Sequence, residues 1–197
     1  MTKYIFLIIT CCSFVKNGTS QITFSNVDSK LKYSLTSTGT DLFCNGSTFS
    51  FKFKLASKSI KLNKNLVSVD SQLIQIALLK IDGLKNGPAN LTSQEQQKLL
   101  TEYSKYELDY FTQDLKVEVI NPNNQWVDTK SKKWLVWYFR VGNIPVDTEM
   151  KTVIQLFAST IIGDKILNIN APILRDGDFN KAALIVNELM ESLITNQ

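Results

Sequence analysis

From Phe49 to Leu55 apolar and polar side chains alternate strictly. Phe49, Phe51, Phe53 and Leu55 fall on one face, and Ser50, Lys52 and Lys54 on the other. A period of two sends neighbouring side chains to opposite sides of a pleated strand, so the pattern predicts a half-buried antiparallel strand. Residues 71–82, SQLIQIALLKID, are apolar at both parities and predict a more central strand, with a helix as the alternative. Residues 115–120, LKVEVI, predict a further strand, and NPNNQ at 121–125 a turn after it. In KKWLVWYFRV both parities are again rich: Trp134, Val136, Tyr138 and Arg140 share one face, Leu135, Trp137, Phe139 and Val141 the other. Residues 152–173, TVIQLFASTIIGDKILNINAPI, read as two apolar strands around Gly163-Asp164. A two-residue connection with glycine first is what a type II′ hairpin turn needs.

Two segments carry the helical period instead. Thr92 is an N-cap, and Glu95 three residues on completes a capping box. The helix is expected to run to about Gln113, with Leu99, Tyr103, Tyr106 and Tyr110 in one stripe widened by Leu100 and Phe111. A tyrosine stripe at this spacing reads as a face packed on a sheet rather than a ligand-stacking surface. Asp178 caps a second helix whose apolar stripe is Phe179, Ala182, Ala183, Val186, Leu189, Met190 and Leu193, with Asn180, Lys181, Asn187, Glu188 and Glu191 mainly opposite. Residues 21–45 form a polar, Ser/Thr-rich entry with short alternations such as KLKYSLTS, read as one or two short strands. Strands, a helix, about four strands and a helix, joined by short turns, predict an α+β fold. Its sheet is mainly antiparallel and flanked by helices, a two-layer or three-layer sandwich, in a single domain over residues 21–197.

The closing hairpin followed by DFNKAALIVNELMESL, residues 178–193, is similar to the last hairpin and helix of the PsbP/Mog-type α/β sandwich group, which includes DcrB-like exported bacterial proteins. In that group the helix ends near an apolar-x-x-Ser-apolar pattern, matched here by Leu189-Met190-Glu191-Ser192-Leu193. The resemblance covers about 45 residues, and it implies a non-enzymatic accessory or binding domain.

The first twenty residues look like a secretory leader: Lys3 precedes a largely apolar run over residues 4–15, too short to cross a bilayer. Small residues Gly18 and Ser20 place the expected cleavage after Ser20, leaving a mature chain without a transmembrane segment. The ending KNGTSQ resembles leaders of the Bacteroidetes type. The expected location is therefore periplasmic or extracellular, in a Gram-negative bacterium. A lipid anchor at Cys11 or Cys12 stays open as the alternative.

Past the leader the charge is about +2, with only Arg140 and Arg175 as arginines, which does not describe a nucleic-acid surface. Cys44 is then the one remaining cysteine, so no internal disulfide forms and burial must hold the fold. Its surroundings, FCNGS, contain no base, and it reads as an inert, partly buried thiol. The chain has no histidine, which excludes Ser-His-Asp and Cys-His catalysis and imidazole-based zinc sites. Asp176-Gly177-Asp178 lacks the further ligands of a cation loop, nothing positions a substrate beside Asp147 and Glu149, and KNGPANLTSQ lacks the spacing of a phosphate loop. No metal, cofactor or catalytic residue is expected. The candidate binding surface is an aromatic patch of Trp126, Trp134, Tyr138 and Arg140, facing a protein or another envelope component. Against it stands a bland reading in which both faces of the Trp-rich strand are covered. The functional expectation is a non-catalytic exported binding or accessory protein. The alternatives are a carboxylate-based enzyme, or the same domain as a lipoprotein.

Overall fold

The computed structural model describes residues 22–27, 30–45, 50–83, 91–142 and 152–196. Cys11, Cys12, the cleavage site, Phe49, Asp147 and Glu149 lie outside them.

In chain order the strands are β1 (Thr23–Val27), β2 (Leu31–Leu35), β3 (Thr40–Asn45), β4 (Ser50–Leu55), β5 (Ile60–Asn63), β6 (Leu66–Val69) and β7 (Gln72–Asp82). Helix α1 (Ser93–Asp109) follows, then β8 (Glu118–Asp128), β9 (Lys133–Gly142), β10 (Thr152–Ile162), β11 (Lys165–Leu174), helix α2 (Phe179–Ser192) and β12 (Ile194–Asn196). The fold is α+β and mainly antiparallel, as the patterns predict. A large sheet runs β5-β6-β7-β11-β10-β9-β8, with β1 also paired to β7, and a four-stranded sheet runs β12-β4-β3-β2.

Each predicted helix start is present. The Thr92 hydroxyl accepts from the Glu95 N–H at 3.3 Å while the Glu95 carboxylate accepts from the Thr92 N–H at 2.8 Å. The Asp178 carboxylate accepts from the N–H groups of Asn180 and Lys181. After Asp109 the chain continues as a π-helical turn, Tyr110–Asp114, which carries the helix about as far as expected. At the β10–β11 connection Ile162 pairs with Lys165, and Gly163 has a φ of 54°, the left-handed conformation that glycine adopts without cost.

Residues 71–82 are the central strand their pattern predicts: β7 is flanked by β11 on one side and by β6 and β1 on the other, and Ile74, Ile76 and Leu78 enter one core while Leu79 and Ile81 enter the other. One expectation is corrected. The segment NPNNQ is not a turn but the middle of β8. Ile120 pairs with Arg140 and Asn123 with Tyr138, so Asn121 and Pro122 form a bulge in one continuous strand. An edge strand tolerates proline because its missing N–H can face away from the ladder. The hairpin β5–β6 and the short β12 carried too little periodicity to be read. The tight turn joining β6 to β7 puts Asp70 and Ser71 at φ values of 47° and 72°, and serine is strained there. Ser71→Gly is therefore expected to stabilise the protein by about 0.5–1 kcal/mol in urea denaturation.

The molecule has three layers. Against one face of the large sheet lies a core containing Leu42, Phe51, Phe53, Ile74, Ile76, Trp134, Leu167 and Ile169, closed by the small sheet and the apolar stripe of α2. Helix α2 lies beside β4, continuing the layer of the small sheet: the Lys54 N–H donates to the Ser192 hydroxyl at 3.0 Å, and the Ala56 N–H to the Glu188 carboxylate. Against the other face lies a core of Leu79, Leu135, Trp137, Phe139, Phe157 and Ile166 under Leu99, Leu100, Tyr103 and Phe111 of α1 and its π-helical turn. Trp137 and Phe157 stack there at 3.8 Å with planes 5° apart. The tyrosine stripe is thus a packed face, and Tyr103 meets Phe24 of β1 edge-on at 5.3 Å.

Cys44 is free and buried in the first core, and burial pushes its thiol pKa up. A thiol reagent such as Ellman's is expected to leave Cys44 unmodified in the folded protein and to react once denaturant is added. Rapid reaction under native conditions would contradict its burial.

Candidate functional site

Helix α2 lies mainly over β11 and β10 of the large sheet and meets β9 where Phe179 packs on Tyr138. On that side the sheet therefore extends beyond the helix, and a groove of about 410 Å³ runs along the step. One wall is the α2 flank formed by Phe179, Ala183, Val186, Asn187 and Met190. The other wall is β8, from Asn123 through Asn124 and Gln125 to Val127, and the floor is Val136, Tyr138 and Leu156.

Strand register explains the floor. Gln125 is opposite Val136, Asn123 opposite Tyr138, and Tyr138 opposite Leu156, and directly opposed residues in an antiparallel pair point to the same face. The Tyr138 ring is held edge-on to Phe179, centroids 5.7 Å apart, and its hydroxyl accepts a long hydrogen bond, 3.4 Å, from the Asn123 side-chain amide. The lining is amide, phenol and hydrocarbon throughout. Such a surface offers paired hydrogen-bond donors and acceptors above an apolar floor.

The four residues of the expected aromatic patch are not brought together. Tyr138 lies in the groove, and Arg140 is exposed further along the same face of β9. Trp134 is 0% exposed, because β9 is an interior strand and its indole lies in the core shared with the small sheet and α2. Trp126 pairs with Leu135 and so faces the other side of the sheet, where it stands beside Gln94, Lys98 and Thr101 of α1. The covered-strand reading describes β9 correctly. Sequence reasoning missed Asn123, Asn124 and Gln125, which looked like turn formers, and Asn187, which looked like an outward-facing helix residue. An Asn-Asn-Gln run after an edge-strand bulge is the available signal.

One buried group was not anticipated. Glu107 of α1 is 0% exposed, and neither carboxyl oxygen has a hydrogen-bond partner of ordinary geometry. Burial raises its pKa from 4.5 to about 7, partly offset by the Tyr103 hydroxyl one helical turn away. Trp137 in the α1 core also has a buried indole N–H without a partner. Glu107 belongs to the helix on the face opposite the groove, so this carboxyl with its elevated pKa does not border it. Among the described residues no group of three or more Cys, Asp and Glu could hold a metal ion, and no helix is long and apolar enough to cross a membrane.

The solution structure of cyanobacterial PsbP (CyanoP) from Synechocystis sp. PCC 6803 is similar to this chain, with a TM-score of 0.42 and 10% identity over 85% of this chain and 93% of that one. The likeness is one of fold, and it is weak. No family model and no curated protein matches the chain. The α+β class rests on the sheets and helices themselves.

Proposed function

We propose that this is a non-catalytic binding protein of the bacterial envelope, exported by way of its leader and working through the groove between β8–β9 and α2. The observation that carries the proposal is the lining. Asn123, Gln125, Asn187 and the Tyr138 hydroxyl surround a hydrocarbon floor, which suits recognition by hydrogen bonds and apolar contact. The raised-pKa carboxyl that acid-base chemistry would favour belongs instead to helix α1 on the other face of the sheet. Export is supported by the leader-like pattern of residues 1–20.

The test is affinity capture from the native envelope with two baits, the natural protein and Ala183→Trp. Ala183 is a half-buried groove residue, and an indole at that position fills the space. Envelope material retained by the first bait and lost from the second is the expected result. Identical retention on both would move the binding surface elsewhere, and conversion of any retained small molecule by the purified protein would end the non-catalytic reading.

A further inference from the structure

We infer that the occupant of this groove is an uncharged, extended peptide segment of an envelope protein, carrying apolar side chains at alternate positions. The inference rests on the binding role just proposed and adds the chemical class of the ligand.

The first argument is hydrogen-bond matching. Each Asn and Gln amide presents a donor and an acceptor, as a peptide unit does, so the rim residues Asn123, Gln125 and Asn187 can pair with main-chain groups irrespective of sequence. The second is length. Residues 123–127 of β8 extend over about 13 Å, room for about four residues of extended chain. The third is the floor: Val136, Leu156 and Met190 present hydrocarbon, which suits every second side chain of an extended peptide.

Charge complementarity then narrows the class. With no ionised side chain in the lining, a phosphate, carboxylate or ammonium entering the groove would lose water without gaining a counter-charge. A neutral saccharide could use the same amides with its C–H face on the floor, but an aliphatic floor of Val136, Leu156 and Met190 favours the projecting apolar side chains of a peptide. The bulge at Asn121 and Pro122 divides β8 into two paired stretches, and the second, from Asn123 onward, lines the groove.

The experiment passes a pool of acetylated, amidated hexapeptides built only from Ser, Thr, Ala, Val and Leu over immobilised protein, and reads retained members by mass spectrometry. Parallel arms use a pool in which Lys and Asp replace Ser and Thr, maltohexaose, and phosphatidylglycerol vesicles. Retention of the neutral pool at least tenfold above the charged pool, lost with Ala183→Trp, is expected. Asn187→Ala, an exposed change that leaves the helix intact, is expected to cut retention about fivefold through the loss of one hydrogen bond, and it carries the test if the tryptophan variant does not fold. Retention of maltohexaose or vesicles alone, sensitive to the same variants, would overturn the peptide assignment and leave the binding role standing. Retention of the neutral pool unaffected by either variant would remove the peptide from this groove. Retention in no arm would overturn the peptide inference, with envelope capture still deciding the binding role.

Discussion

Glu107→Leu is expected to raise stability at pH 8 by about 3 kcal/mol relative to the natural protein, and to change it far less at pH 4.5. The carboxyl titrates at 4.5 when exposed and at about 7 in the folded chain, because burial in the α1 core disfavours its charged form. The folded state therefore holds the proton more tightly than the unfolded state. Stability from this group is fully present below pH 4.5, declines as pH rises, and is lost once pH has passed through about 7. Leucine never ionises and also removes a buried carboxyl whose hydrogen bonding is poor. The check is the difference in urea-unfolding free energy between the two proteins at several values from pH 4.5 to 8. A difference that does not grow with pH would mean that Glu107 is solvated or paired in solution.

The second large effect separates an interior strand from a surface patch. Trp137→Ala is expected to destabilise the protein by about 3–5 kcal/mol, since it empties a site 2% exposed to solvent and removes the stack on Phe157. Trp126→Ala, at a half-exposed residue of the edge strand, is expected to cost about 1 kcal/mol or less. Urea midpoints of the two variants give the comparison directly. A larger loss at Trp126 than at Trp137 would contradict the placement of β9 inside the sheet.

Much of the fold was legible because its elements are long and locally consistent. The β10–β11 hairpin declared itself through Gly163, both helix starts through Thr92 and Asp178, and β4 through its alternation. The remainder was hidden for identifiable reasons. Pro122 between two asparagines is a strong turn signal, and only pairing of β8 with β9 on both sides of it turns the segment into a bulge. The strands β5 and β6 have four residues each, too few to show a period. The Trp-rich strand was rightly suspected of being central, yet which aromatic faces solvent depended on the register that puts Trp126 opposite Leu135. The groove was least legible of all, since it forms where α2, seated mainly over β10 and β11, leaves the outer strands partly uncovered, a matter of layer width that no local pattern encodes.

The most direct measurement is a map of side-chain amide and indole resonances in the ¹⁵N-labelled protein as a soluble extract of the native envelope is added. The side chains of Asn123, Gln125 and Asn187 are predicted to shift together while the Trp126 indole, on the opposite face, stays in place. Shifts confined to Trp126 and the α1 face, with the three amides unmoved, would contradict a binding groove between β8–β9 and α2.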